Sequence, residues 1–432
     1  MTPNSDHAIT SETGAMHDLV IHRAHVFDGN RPLAGLHDVA IRDGTIADVS
    51  TERSRGTTGR LSGRIEIDAA AGWVMPGLID THVHVYDVAA VSDSESMQDF
   101  EERALPGLLE AFLQHGVTTI KSVGDPTIEI LKTRHGIASG ALRGPQLLAT
   151  GLGITGRNGH PAATVFADNP WARRHFTAEV DSVAQLRELV HQLADREVDA
   201  VKLLSEGACA CHDSPAYVWR NPAFPTAVEL VRLPADLLSA GIDTAHNRGL
   251  RVTVHTTQQA AAHEAIEAGA DGLEHGVTVE PITDDSLIES MLGHDVVYTP
   301  TLWAHDTAHP HIRGNVAKVA AAGVTVALGS DTFSGRGTYG MNTVEEAELM
   351  VAAGMSPVQV LVAGTSAAAR HCVRPDIGCL AVGKRADLIV LAADPTQNIS
   401  NLRTLAVTIA HGSIVVDKRR SMPSTPGLDG RR

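Results

Sequence analysis

The sequence predicts an α/β fold: a (β/α)8 (TIM) barrel with a small β-sandwich domain that both ends of the chain form together. In the middle of the chain, short β-branched or apolar runs alternate with helical stretches rich in Ala, Leu and Glu. Eight such runs span roughly 255 residues, which is the usual size of this barrel. Toward both ends, short alternating runs are separated by turns, a pattern typical of β-sheets.

Turn signals in the two β-rich regions support their assignment as sheet. The Asp43-Gly44 pair lies between two alternating runs and is a strong hairpin signal. The same texture returns in the last part of the sequence, where His411-Gly412 separates two β-branched runs. We therefore expect antiparallel hairpins at both places, and a single β-rich domain to which both regions contribute.

The chain is expected to divide into one composite domain, one barrel and two flexible ends. Both ends lack periodic apolar residues, which is why they are expected to be flexible. An open doubly wound sheet is the alternative to the barrel, but no Gly-x-Gly-x-x-Gly motif follows an early strand. The predicted boundaries are 17–72 with 375–418 for the β-sandwich domain, 73–374 for the barrel, and 1–16 and 419–432 for the flexible ends.

Composition and charge favour a globular protein that acts on a small molecule. Of the 432 residues, 43% are hydrophobic and 20% charged, and no apolar stretch is long enough to cross a bilayer. The net charge of −16 disfavours nucleic acid and anionic membranes as partners, since both require a basic face. The first residues do not resemble a secretory signal and only four cysteines occur, so a cytoplasmic location is expected. We expect a small-molecule or short-peptide substrate; the oligomeric state stays open, a homo-oligomer included.

Two histidines end the first strand of the predicted barrel. His82 and His84 lie one residue apart in the apolar run VMPGLIDTHVHV, residues 74–85. Alternate residues of a strand point to the same face, so both imidazoles would project together at its carboxyl end. Two imidazoles aimed at one point indicate a metal site, and a purely structural role for the pair is the alternative.

Other predicted strands also end in residues of the types that bind metals. His255, His275 and Asp331 each follow such a run. In a barrel the carboxyl ends of all strands meet at one mouth. Taken singly, each histidine has a capping or core role as its alternative, and Asp331 has an N-cap role. Together with the first pair, these residues predict a metal centre at the mouth.

Lys202 lies inside an apolar strand, where burial disfavours a charged amine. A neutral amine that has captured carbon dioxide becomes a carbamate, whose two oxygens could bridge two metal ions. A snorkelling or ion-paired lysine is the alternative.

The order His-x-His, Lys, His, His, Asp on successive strand ends, with PGLIDTHVH at the front and GKRADLIVL at the back, resembles the amidohydrolase superfamily. Within it, the chain is similar to the imidazolonepropionase-like branch that includes Xaa-Pro and related dipeptidases. The resemblance covers residues 17–417 or so. It implies two zinc ions, or another divalent transition metal, bridged by N6-carboxylated Lys202. Imidazolonepropionase itself usually holds one ion and lacks this lysine, so Lys202 favours the dipeptidase-like side. The implied ligands are His82, His84 and Asp331 for the more buried ion, and His255 and His275 for the second.

The resemblance also implies an activity. It implies hydrolysis of an amide or peptide bond in a dipeptide, an N-acyl amino acid or a peptide-like small molecule, by a hydroxide that the ions generate. Asp331 would take the proton of the nucleophile and pass it to the leaving amine. His160, in a Gly-rich loop after the third strand, would steady the oxyanion, with a locally hydrogen-bonded loop histidine as the alternative. Hydrolysis of a carbamate, lactone, phosphotriester or cyclic amide is the second hypothesis for the activity. A non-catalytic scaffold is the third, which the filled ligand positions disfavour.

Residues in two loops are candidates for substrate contacts. Tyr217 and Arg220 follow the fourth strand and could hold a substrate carboxylate, since a guanidinium binds one bidentately. A packed aromatic and a surface arginine are the alternatives. Trp303, His305 and His309 follow the seventh strand and are candidates for lining the pocket, among which the sequence does not choose. The compact CACH segment, residues 209–212, is too short for a typical closed zinc site and is interpreted as a loop feature.

Overall fold

The computed structural model describes residues 16–51, 61–206, 232–305, 311–333 and 337–419. Within these ranges, no helix combines the length and the apolar character that a membrane span needs. Strands from the two ends of the chain form one mixed sheet, and strands from the middle form parallel sheets with helices between them. The α/β class with parallel strands is therefore confirmed.

The bounds of the elements follow in chain order. The strands are β1 (His17–Val26), β2 (His37–Arg42), β3 (Thr45–Ser50), β4 (Gly63–Asp68), β5 (Trp73–Pro76), β6 (Leu78–Val83), β7 (Val117–Ser122), β8 (Gln146–Ala149), β9 (Gly153–Gly156), β10 (Thr177–Val180), β11 (Ala200–Leu204), β12 (Arg251–His255), β13 (Gly272–Glu274), β14 (Val297–Thr299), β15 (Leu388–Leu391), β16 (Leu405–Ala410) and β17 (Ser413–Asp417). The α-helices are α1 (Ser94–Arg103), α2 (Leu105–Gln114), α3 (Thr127–Ala138), α4 (Pro170–Phe176), α5 (Val183–Asp195), α6 (Ala235–Asn247), α7 (Gln259–Glu267), α8 (Asp285–Gly293), α9 (Leu302–His305), α10 (Ile312–Ala321), α11 (Met341–Ala352), α12 (Pro357–Ala363) and α13 (Ser366–His371).

The mixed sheet joins the two ends of the chain. Its strand order is β17-β16-β15-β5-β1-β2-β3, and β4 pairs with β1 outside this path. β5 is the junction, because it runs parallel to β1 on one side and antiparallel to β15 on the other. Alternate apolar residues of β1, such as Leu19 and Ile21, pack in one buried cluster with Leu388 and Val390 of β15. The packing of these strands as a sandwich stays a prediction.

Both predicted hairpins are confirmed. Asp43 and Gly44 connect antiparallel β2 and β3 with φ angles of 50° and 73°. His411 and Gly412 connect β16 and β17 with 48° and 77°. Positive φ at both central residues is what a two-residue turn needs to match the twist of its strands. The two turns also pack together, since a Cβ on Gly412 would lie 2.7 Å from the Cα of Gly44.

The first predicted barrel strand forms two strands. Residues 73–76 pair in the mixed sheet as β5, and β6 begins the parallel sheet at Leu78. Gly77 separates them, and a Cβ there would overlap the side chain of Thr118. Its N–H donates to the carbonyl of Asp387 at 2.9 Å, which anchors the bend. The close approach of β7 thus requires a glycine at this point.

The parallel strands form one sheet of β6, β7 and β8 and another in the order β10-β9-β11-β12-β13-β14. The run PQLLATGLG, residues 145–153, is the third of the eight runs that predict the barrel strands, and it contributes to both β8 and β9 because Gly151 takes a φ of +69° between them. A hydrogen bond of 2.8 Å from the Asp199 N–H to the carbonyl of Ala149 links β8 to the segment before β11.

The predicted eighth strand is present only as isolated bridges. Val326 bridges to Tyr298 of β14, and Thr332 bridges to Val83 of β6, both in parallel orientation. The N–H of Thr81 also donates to the carbonyl of Leu328 at 2.9 Å. Residues 325–332 therefore lie between β14 and β6.

Helices pack on the parallel strands through apolar faces. In α5, the buried residues are Leu186, Val190 and Leu193, which the spacing of an α-helix places on one side. Ser182 caps this helix by accepting from the N–H of Gln185. These side chains belong to the large buried cluster that also contains β7, β11 and β12. This apolar packing of the helices stabilises the parallel strands.

Candidate metal centre

Asp331 is the point at which the predicted ligands meet. Its Oδ1 lies 3.4 Å from Nε2 of His82 and 3.2 Å from Nε2 of His84. Its Oδ2 lies 3.9 Å from Nδ1 of His275 and 3.5 Å from Nε2 of His305. The backbone holds this geometry, because the N–H of Asp331 donates to the carbonyl of His82 at 2.8 Å. Side chains that are up to 249 positions apart in sequence therefore meet at one place.

A triad within this group has the spacing of a metal site. His82, His275 and Asp331 are buried, and one ligand atom from each lies within 4.8 Å of the others. His255 adjoins the triad, with its ring centroid 4.5 Å from that of His275. We call His82, His84, Lys202, His255, His275 and Asp331 the metal-site cluster.

Left-handed backbone conformations direct two of these side chains. His275 and Asp331 have φ angles of 66° and 50°, which are uncommon for residues with a Cβ. His275 directly follows β13, and its Nδ1 lies 2.7 Å from Oγ1 of Thr301. Such strained residues often occur at functional sites, where the surrounding structure holds them in place.

Lys202 is buried within β11, with 3% of its surface exposed. Its Nζ has no hydrogen-bond partner among the residues that the structure describes. Burial lowers the pKa of this amine to about 8, although the charges of Glu274 and Asp331 oppose the shift. A lowered pKa raises the fraction of neutral amine, which is the form that reacts with carbon dioxide. An unpartnered buried amine is costly, and a carbamate with metal partners would remove that cost.

The protonation states suit metal binding. Burial lowers the pKa of His82 to about 4, and burial together with neighbouring imidazoles lowers the pKa values of His255 and His275 well below the ordinary range. Burial alone would raise the pKa of Asp331, but His82 and its other histidine neighbours hold it well below the usual range. For His84, burial would lower the pKa, but the hydrogen bond to Asp331 and the charges of Asp331 and Asp125 together raise it. Neutral imidazoles beside an ionised carboxylate are the donor set of a divalent transition metal, so the residues fit such an ion.

His160 lies beside the second group of predicted ligands. It follows β9 and is buried, with its ring centroid 4.8 Å from that of His255. Its Nδ1 lies 2.7 Å from Oγ1 of Thr164 in the same loop. The structure thus places His160 next to the metal-site cluster.

The candidate substrate contacts are only partly described. Trp303, in α9, is buried, and its indole N–H donates to Glu345 at 2.9 Å. Its neighbour His305 is the residue that reaches Asp331. Tyr217, Arg220 and His309 lie outside the described residues, as does the CACH segment.

Two buried carboxylates that the sequence did not single out fasten the strand ends. Asp80 accepts from the N–H groups of His82 at 3.2 Å and Ser330 at 3.0 Å, which ties β6 to the segment of Asp331. Burial raises its pKa to about 6 despite these hydrogen bonds. Asp125 accepts from the N–H groups of Val85 and Tyr86, directly after the histidine pair.

Glu274 and Lys121 are further residues that sequence reasoning missed. Glu274 is fully buried, and its Oε2 lies 2.6 Å from Nδ1 of His82. Lys121, in β7, brings its Nζ to 3.4 Å from the other carboxylate oxygen. Both are charged residues inside short apolar runs, and Lys202 has the same setting in the sequence.

The chain is similar in sequence and fold to several known proteins. An ochratoxinase of Aspergillus niger is 24% identical over 372 residues, which cover 76% of this chain and 71% of that protein. An imidazolonepropionase of Mycolicibacterium smegmatis is 27% identical over 402 residues, which cover 89% and 92%. The crystal structure of a Xaa-Pro dipeptidase with bound methionine has the same fold, with a TM-score of 0.74 at 22% identity over 92% of this chain and 99% of that one.

The family itself follows from a match over most of the sequence. Residues 73–415 match the amidohydrolase family, a range that contains every member of the metal-site cluster. The predicted hydrolysis of carbon–nitrogen bonds is confirmed with it. The chain belongs to the amidohydrolase family, as its strand-end motifs indicate.

Proposed function

We propose that the chain cleaves an amide or peptide bond in a dipeptide, an N-acyl amino acid or a peptide-like small molecule at a binuclear metal centre. The observation that carries this proposal is the convergence of His82, His275 and Asp331, with ligand atoms within 4.8 Å of one another. The names of the relatives support it, since one is a dipeptidase, and the family is typically metal-dependent.

The proposal also includes a more specific architecture for the chain. The segment 325–332 contacts both β14 and β6, and Asp199 contacts the end of β8. These contacts support a closed (β/α)8 barrel with the metal-site cluster at its carboxyl end. The mixed sheet would then be the composite β-sandwich domain of residues 17–72 and 375–418, with its boundary shifted so that β5 belongs to it.

The residues of the metal-site cluster would hold two zinc ions or another divalent transition metal. His82, His84 and Asp331 would hold one ion, His255 and His275 the other, and N6-carboxylated Lys202 would lie between them. When bound, the ions would supply a Lewis acid for the scissile carbonyl and a water of lowered pKa. The unpartnered Nζ of Lys202 and the lowered pKa values of the histidines support this assignment.

The side chains of the protein would move the proton and stabilise the developing charge. Asp331 would take a proton from the attacking water and deliver it to the leaving nitrogen, which is general acid and base catalysis. His160, held by Thr164 beside His255, would donate a hydrogen bond to the oxyanion. Trp303, with Tyr217 and Arg220, would contact the substrate beyond the scissile bond.

The test combines metal analysis with a substrate screen. We expect close to two transition ions per chain after expression with zinc. We also expect turnover of some members of a panel of Xaa-Pro and other dipeptides and N-acyl amino acids. Stripping the ions with a chelator should abolish turnover, and zinc should restore it. The panel also holds lactones, phosphotriesters, carbamates and a cyclic amide, the last because of the imidazolonepropionase relative. Turnover confined to these compounds, or a chain without metal after zinc supplementation, would contradict the proposal.

A further inference from the structure

A line of buried polar groups leads from His82 away from Asp331. Nδ1 of His82 lies 2.6 Å from Oε2 of Glu274, and Oε1 of Glu274 lies 3.4 Å from Nζ of Lys121. Nζ of Lys121 in turn lies 2.7 Å from Nε2 of His371, in α13. All four residues are buried, so this line is part of the interior behind the metal-site cluster.

The two nitrogens of His82 have different partners. An ionised carboxylate can only accept a hydrogen bond, so Nδ1 of His82 must carry the proton that it shares with Glu274. Nε2 then presents its lone pair, and this nitrogen is the one that lies 3.4 Å from Asp331. The contact with Glu274 therefore selects the tautomer of His82 that can bind a metal on the side of Asp331.

Two further donors hold Glu274 in place. Lys121 supplies the opposite charge, and the hydroxyl of Thr253, on the adjacent β12, donates to Oε1. Together with Nδ1 of His82, these two donors surround the buried carboxylate of Glu274 and fix its position.

The backbone conformation at His275 explains how two adjacent residues, Glu274 and His275, can both approach His82. Along a regular strand, Glu274 and His275 would point to opposite faces of the sheet. The φ angle of 66° at His275 turns the backbone at the end of β13, so that its ring reaches His82 at a centroid distance of 4.9 Å. One residue is then available to bind the metal, and the other supports a second ligand.

We propose that Glu274, held by Lys121 and Thr253, is a positioning residue that orients His82 and thereby sets the affinity of the metal centre. The inference rests on the proposed function, because it assigns His82 as a ligand. Glu274 acts through His82 and touches neither the substrate nor the reacting atoms. Supporting carboxylates of this kind raise the basicity of a ligating histidine, and their loss typically weakens metal affinity about 10- to 100-fold.

Glu206 provides a matched control. It is also a buried glutamate at the end of a parallel strand, but it accepts from the N–H groups of Thr257 and Gln258 at 2.6 and 2.7 Å. It therefore fastens a loop by backbone contacts. Replacing Glu206 with Gln removes a buried charge of the same kind and leaves the support of His82 intact.

The experiment measures zinc affinity by competition with a chelator for the wild-type chain, Glu274→Gln and Glu206→Gln. We expect Glu274→Gln to weaken zinc binding by about 10- to 100-fold and to change the visible absorption of the cobalt-loaded protein. Glu206→Gln should keep both the affinity and the spectrum of the wild type. Circular dichroism of each variant verifies that it is folded.

The outcomes separate this inference from the proposed function. A wild-type chain that binds zinc, with Glu274→Gln equal to it in affinity and in cobalt spectrum, overturns the role of Glu274 and leaves the metal centre standing. A wild-type chain that binds no zinc overturns the metal centre and the inference with it. Where Glu274→Gln does not fold, Thr253→Val removes only one hydroxyl donor to the same carboxylate. That variant should also bind zinc more weakly than the wild type, and unchanged affinity would again overturn the role.

Discussion

Among the described residues, buried histidines lie beside carboxylates both in the mixed sheet and in the metal-site cluster. In the sheet, Nδ1 of His22 lies 3.2 Å from Asp38 and Nε2 lies 3.4 Å from Glu66, so one imidazole faces two carboxylates. In the metal-site cluster, the imidazoles of His82, His84 and His275, with that of the neighbouring His305, approach the single carboxylate of Asp331. We call the first group the sheet cluster.

The difference shows what distinguishes a candidate metal site from an ordinary buried histidine. In the sheet cluster, one imidazole lies beside two carboxylates, and one of these, Glu66, is exposed to solvent. In the metal-site cluster, nitrogen donors outnumber carboxylates, and the amine of Lys202 has no hydrogen-bond partner within the described part of the chain. An excess of nitrogen ligands over carboxylates suits the binding of a metal cation. The sheet cluster, with a single imidazole, does not have this excess.

Replacing one carboxylate in each cluster should give the largest difference in kcat between the two clusters. Asp331→Asn should lower kcat by about 10²- to 10⁴-fold, because it removes the group that carries the proton. Asp38→Asn should leave kcat unchanged, since the contacts of Asp38 with His22 and with the N–H of Arg23 lie within the mixed sheet. Steady-state kinetics on the best substrate of the screen, with circular dichroism for the fold, provides the measurement. Near-wild-type turnover of Asp331→Asn would remove its catalytic role.

Replacing one histidine in each region should have the next largest effect. His160→Ala should lower kcat by about 10²-fold with little change in KM, because it removes a donor that acts on the transition state. His22→Ala should lower the melting temperature and leave kcat of the folded protein unchanged, because the contacts of buried His22 with Asp38 and Glu66 lie within the mixed sheet. Equal kcat values for the two variants would show that His160 is a loop histidine without a role in the reaction.

Lowering the pH should destabilise the metal-free protein, because the buried histidines of the metal-site cluster have lowered pKa values. The pKa of buried His82 is lowered to about 4, and those of His255 and His275 are also lowered. Between pH 6.5 and pH 4 the unfolded chain therefore binds more protons than the folded one, so the free energy of unfolding falls as the pH falls. For His82 alone the loss amounts to about 3 kcal/mol. Asp80, whose pKa burial raises to about 6, and His84, whose pKa the contacts with Asp331 raise, act in the opposite direction, because the folded chain holds these protons more tightly than the unfolded one, and they offset part of the loss.

Urea unfolding of the chelator-treated chain across this pH range measures the effect. His82→Asn should flatten the pH dependence, and His22→Asn should leave the contribution of the metal-site cluster in place. A stability that does not change, or that increases toward pH 4, would contradict the assignment of neutral buried histidines.

Much of the metal-site cluster follows from sequence because strands impose simple geometry. His82 and His84 come together since a strand repeats every two residues, and the other ligands since parallel strands end at the same edge. Asp331 was predicted at the end of a strand, yet its segment forms only isolated bridges. Its position depends on the hydrogen bond to His82 and on a left-handed φ, neither of which a periodic pattern contains.

The supporting residues could not be assigned from sequence for a related reason. Glu274 is adjacent to His275, and which of them faces His82 depends on the backbone turn at the end of β13. Lys121 resembles Lys202 in its apolar setting, but only the three-dimensional structure shows that Lys121 has a carboxylate partner and that Lys202 has none among the described residues. A charge inside an apolar run thus indicates burial, and its role depends on what lies across the interior.

The pairing of β5 with β15 has a consequence for biosynthesis. β5 precedes the histidine pair by only a few residues, yet one of its two neighbours is made more than 300 residues later. On the ribosome, the nascent chain therefore exposes an unpaired edge of β5 until β15 has emerged, which is a site for wrong pairing between chains. The mixed sheet can accordingly be completed only after its last strands have left the ribosome.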